Sequence, residues 1–127
     1  MQKGITTKVM INIALILITM IMGFILHKTG KPYNSALLTI HKLATLGFVI
    51  FISFVLVSYT GNYGLSVSFT AFLILAILSI IGLLVSGGML SLDRMHFTMM
   101  WLHRIFAAGF VICIAVIFYK VLATYSQ

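Results

Sequence analysis

Two histidines in matching surroundings are the residues of this chain best suited to chemistry. The stretches Ile40-His41-Lys42-Leu43-Ala44-Thr45-Leu46-Gly47-Phe48-Val49-Ile50 and Leu102-His103-Arg104-Ile105-Phe106-Ala107-Ala108-Gly109-Phe110-Val111-Ile112 are identical at five of eleven positions and conservative at three more. The shared residues include the histidine itself, not only apolar filler. A neutral imidazole ligates metals and can exchange a proton near neutral pH. Other chemistries lack their parts. Asp93 is the single acid, so there is no carboxylate pair, and no nucleophile–base pair or phosphate-binding loop is present. No hydrolytic or phosphoryl-transfer enzyme is expected. Cys113 is the only cysteine and reads as a small apolar core residue.

The elements that position these histidines follow from composition. Of 127 residues, 62% are hydrophobic and 7% charged, with a mean hydropathy of +1.23, whereas a soluble domain carries about 25% charged residues. Lipid is the solvent such a chain suits. A helical span needs about 20 mostly apolar residues, and only a helix satisfies its own backbone groups there. The sequence predicts four spans, at about 9–26, 36–57, 65–90 and 97–123. Gly30 and Pro32 break the chain after the first, and Ser35 is the expected N-cap of the second. The polar Ser58–Gly64 stretch is expected as a turn, and Ser91–His96 as a short loop. The first segment lacks a cleavage signature and is expected to stay as a helix. Short connections make neighbours antiparallel. The expected fold is all-α: an up-down-up-down bundle of four transmembrane helices, built as two tandem helical hairpins in one multi-pass membrane domain, 1–127. Both termini then lie on one face (A), and loops one and three on the other (B).

In that topology all four histidines lie toward face B. His27 and His96 fall at span ends and are expected at the water interface. His41 and His103 lie about 8–9 Å inside their spans at 1.5 Å per residue. Ionisable groups at such depth are usually inward-facing and functional. Spans two and four are parallel and diagonal in the expected bundle, so two imidazoles at equal depth suit a planar metallocofactor: one haem b with two axial histidines. His41, Thr45 and Phe48 share a helical face, as do His103, Ala107 and Phe110. Thr45 and Ala107 leave room for a flat ring, and Phe48 and Phe110 floor the pocket. Gly23 and Gly82, eighteen and twenty-one residues before the histidines, with Ser86 and Gly87, are places where a ring edge could approach the backbone. A bare zinc or copper ion would need three or four ligands, bringing His27 and His96 inward. The alternatives are interhelical hydrogen bonds from His41 and His103 in a non-redox scaffold subunit, or a histidine-based metal-handling or transport protein.

The formal net charge is +7. The basic residues are scattered at helix ends, as in a cationic rim facing anionic headgroups; this pattern does not suit nucleic acid. Face B carries Lys28, Lys31, Lys42, Arg94 and Arg104, against Lys3, Lys8, Lys120 and the amino terminus on face A, a margin too small to fix orientation. Lys42 and Arg104 directly follow the histidines and can reach toward face B to meet two propionates, with Lys28, Lys31 and Arg94 further out. The basic face suits an acidic redox partner or a quinone headgroup. The chain is expected to work as a homo-oligomer or a subunit.

These L/I-H-K/R stretches, with the small residues of spans one and three, resemble the small four-helix b-type membrane cytochromes, the cytochrome b and ferric-reductase-like group. The resemblance covers most of the chain as architecture and about twenty residues as motif. It implies bis-histidine haem b and electron transfer between quinol and a redox partner, at most as an oxidoreductase component. Members that carry electrons across the membrane hold two stacked haems. This chain has no histidine toward face A, so one haem near face B is expected.

Overall fold

The computed structural model describes residues 2–92 and 95–126. The described residues form four helices and no strand: α1 (Gln2–Thr29), α2 (Ser35–Tyr63), α3 (Val67–Ser91) and α4 (His96–Tyr125). All four are long and apolar enough to cross a bilayer. Asp93 and Arg94 lie outside the described residues.

The helix ends follow local chemistry. Gly30 leaves α1 at φ +67°, a region open to glycine at little cost. Asn34, not Ser35, caps α2: its side-chain oxygen accepts from the backbone N–H groups of Ala36 (3.0 Å) and Leu37 (3.2 Å). Ser35 is the first helical residue. The expected turn from Ser58 is instead helix to Tyr63. Its polar side chains turn back on their own helix. Asn62 Nδ2 donates to the Ser58 carbonyl at 2.6 Å and Thr60 Oγ1 to that of Val57 at 3.4 Å. Such local bonds let polar residues extend a helix past its apolar part. Gly64, at φ +73°, ends it, and Ser66 caps α3 through the Phe69 N–H at 3.3 Å.

The chain divides into two compact units, Met1–Gly64 and Leu65–Gln127, each a helical hairpin. In the first, Leu15 packs on Gly47 and Gly23 on His41, so α1 and α2 run antiparallel. Its buried residues are Ile5, Val9, Asn12 and Leu26 from α1, and Ala44, Phe48, Ile52, Val55 and Tyr59 from α2. In the second, Ser79 lies against Gly109, Gly82 against Phe106 and Gly87 against His103, again antiparallel. Phe69, Ala76 and Ser86 of α3 are buried with Phe110, Ile114, Ile117 and Val121 of α4.

The repeat extends well beyond the two histidine stretches. Buried Phe48, Ile52, Val55 and Tyr59 have buried counterparts 62 residues later in Phe110, Ile114, Ile117 and Val121. Buried Ile5 and Asn12 have theirs 64 residues later in Phe69 and Ala76. The change of offset puts two more residues between equivalent positions of α1 and α2 than between those of α3 and α4.

Candidate functional site

His41 sits in the second turn of α2 and is half-buried. Its Nδ1–H donates to the Thr19 carbonyl of α1 at 2.9 Å. A carbonyl oxygen only accepts, so this bond puts the proton on Nδ1 and the ring's lone pair on Nε2. The imidazole edge fits beside α1 because residue 23 is glycine: a Cβ there would stand 3.2 Å from Cε1 and 3.5 Å from Nδ1.

His103, in the third turn of α4 and also half-buried, repeats the arrangement. A Cβ on Gly87 would stand 3.3 Å from its Cε1 and 3.6 Å from its Nδ1. Its Nδ1 lies 3.0 Å from the hydroxyl of buried Ser86. Ser86 Oγ also lies 2.6 Å from the Gly82 carbonyl, which can accept from the hydroxyl and leave the oxygen to accept from an Nδ1–H imidazole. His41 is thus the Nδ1–H tautomer, and His103 shares it when the Ser86 proton is donated to the Gly82 carbonyl. A metal-ligating histidine that donates its second nitrogen's proton to a carbonyl or other acceptor is held in this way.

The glycine equivalent to Gly23 is thus Gly87, not Gly82. Gly82 receives the Phe106 ring, which lies 2.5–2.6 Å from where a Cβ would be. The space over Gly82 expected to admit a cofactor edge is filled by that side chain. Spacing counted along the chain mismatched the pair because the two connections differ in length.

Thr45 Oγ1 donates to the His41 carbonyl at 2.8 Å. Thr45 and Ala107 are half-buried, and Phe48 and Phe110 are buried. His27 and His96 are exposed at the ends of α1 and α4. Lys42 and Arg104 are exposed, and the Arg104 guanidinium lies 5.5 Å from the Trp101 ring centroid. Lys28 is placed likewise over Phe24 at 5.5 Å, and Lys31 over Tyr33 at 5.6 Å. Such pairs carry a cation on an aromatic face. Among the described residues, no group of three or more His, Cys, Asp and Glu is placed to hold a bare metal ion.

One contributor to this geometry and one buried polar residue outside it escaped the sequence. Thr19 acts through its main chain, which leaves no residue-type signal. Asn12 is fully buried, with Nδ2 donating to the Lys8 carbonyl at 2.9 Å and Oδ1 without a hydrogen-bond partner. Its signal was available, as an amide inside an otherwise apolar segment. The chain matches no protein-family model, no curated protein and no solved structure.

Proposed function

We propose that the chain is a multi-pass membrane protein that holds one haem b between the imidazoles of His41 and His103 and works in electron transfer. The observation that carries this reading is the shared state of the two rings. In each hairpin the Nδ1 of the histidine meets an oxygen of the partner helix, Thr19 O or Ser86 Oγ. An imidazole that donates its Nδ1 proton in this way keeps its lone pair on Nε2, the atom that would ligate iron. On this reading each hairpin would supply one ligand, and the repeat makes the surroundings of the two histidines alike. A haem held by these two residues would supply a one-electron couple, a chemistry that suits electron transfer over oxygen or substrate binding.

The chain's own residues would do the rest. Gly23 and Gly87 admit the rings, Thr19 and Ser86 orient them, and Phe48 and Phe110 exclude water beneath. Lys42 and Arg104 are the cations nearest in sequence for the two propionates. The basic ends would dock an acidic redox partner or a quinone headgroup, with the chain acting as a subunit or homo-oligomer. A visible spectrum of protein purified after expression with ample haem tests the reading. A Soret band with sharp α and β bands on reduction supports it, and a colourless preparation defeats it.

The same two hydrogen bonds favour a second reading, a non-redox scaffold subunit. Both join one helix of a hairpin to the other, and such bonds are worth about 0.6 kcal/mol on average in membrane proteins. On that reading the preparation is colourless, and replacing either histidine alters stability alone.

A further inference from the structure

We propose that Ser86 is a positioning residue that sets the ligand strength of His103, making the two otherwise repeated half-sites chemically unequal. The proposal rests on the haem reading above and adds to it the side chain through which this chain tunes that group.

The basis is a run of three hydrogen-bonded groups. The Ser86 hydroxyl has one proton, and α3 offers it two acceptors, the Gly82 carbonyl at 2.6 Å and the Leu83 carbonyl at 3.3 Å. We place the proton in the shorter of these bonds, which leaves the oxygen's lone pairs for His103 Nδ1 at 3.0 Å. Bonds in series polarise one another, so a hydroxyl already donating is a better acceptor. Ser86 is only 2% exposed, which shields this chain from bulk water. An imidazole donating Nδ1–H to such an acceptor becomes more basic at Nε2 and favours the ferric state of a bound iron. In the first hairpin the acceptor is the Thr19 main-chain carbonyl, which no side-chain substitution removes. Met22 stands where Ser86 would be, 64 residues earlier. One half-site is fixed by backbone, and the other depends on a single hydroxyl.

The test compares wild type with Ser86→Ala, Ser86→Thr and the control Ser53→Ala. Ser53→Ala removes an exposed hydroxyl bonded to the Val49 carbonyl. Two measurements are made: imidazole nitrogen NMR on haem-free protein labelled at histidine, and a spectroelectrochemical titration with haem retention on loaded protein. In Ser86→Ala the His103 signals are expected to move from the Nδ1–H tautomer toward a mixture. Haem affinity should fall about tenfold or more, and the midpoint potential should rise. Ser86→Thr, which keeps a hydroxyl, should stay near wild type, and Ser53→Ala should match it. A Ser86→Ala protein with unchanged tautomer, or with unchanged potential and retention, overturns the proposal. A wild-type protein without a bis-histidine spectrum overturns the haem reading instead, so the two failures are separate.

Discussion

The His41 imidazole occupies the place where a side chain on Gly23 would begin, its Cε1 3.2 Å from that Cβ position, and His103 stands to Gly87 in the same way at 3.3 Å. Adding a methyl group at either glycine moves the ring by a few tenths of an ångström. It also removes a glycine from a helix interior, a gain of about 0.5–1 kcal/mol. Gly23→Ala and Gly87→Ala are therefore expected to melt near wild type and, on the haem proposal, to retain haem about tenfold less tightly. The check is a melting curve beside a haem-to-protein ratio. Unchanged retention in both variants would show that the rings need no such fit.

Gly82→Ala is expected to behave differently. Its Cβ would meet the Phe106 ring at 2.5–2.6 Å, including the ring's root atom Cγ, so the whole side chain must move. Overpacking of this kind costs about 1–3 kcal/mol. The double variant Gly82→Ala/Phe106→Ala should be less destabilised than the sum of its single changes, since the clash is shared. Additive losses in a detergent-denaturation series would argue against the contact.

On the haem proposal, replacing His41 or His103 with alanine should each abolish haem retention, because each removes one of the two proposed ligands. His27→Ala and His96→Ala should keep it, both side chains being exposed at helix ends. The absorbance of each purified variant, normalised to protein, decides this. Loss of the spectrum in His27→Ala or His96→Ala would place the iron elsewhere.

Asn12 offers a stability test independent of any cofactor. Its Oδ1 is buried without a partner, and an unsatisfied buried acceptor costs about 1–3 kcal/mol. Asn12→Leu, which keeps the branched shape and drops the polar atoms, is expected to leave the protein as stable or more stable by about 1 kcal/mol. Resistance to denaturation in detergent measures it. A marked loss of stability would mean that Oδ1 has a partner in the membrane.

Much of the architecture was legible residue by residue. Long apolar runs with few charges can only be helices in lipid, because a helix satisfies its backbone without a neighbour. Gly30 and Gly64 end helices where their conformational freedom is needed. Polar residues near helix ends were harder to place. Ser58, Thr60 and Asn62 suit a turn or a last helical turn equally well, and the bonds to their own backbone made them helical. Asn34 and Ser35 both cap helices well, and only the backbone geometry chose Asn34.

The sequence by itself determined that the chain forms four apolar helices and that two of them carry a histidine at matching depth. Both properties are local, set by hydropathy and by position along a helix. The tertiary structure alone decided which glycine faces which imidazole, that Phe106 covers Gly82, and that the Nδ1 of each ring meets a hydrogen-bond partner on the other helix of its hairpin. These depend on the sliding register between antiparallel helices, which the length of each connection and the packing of its buried faces determine together. A two-residue difference in the separation of equivalent helix positions shifts that register along the sequence while leaving the hydropathy pattern the same. For that reason Gly87, rather than Gly82, lies against His103.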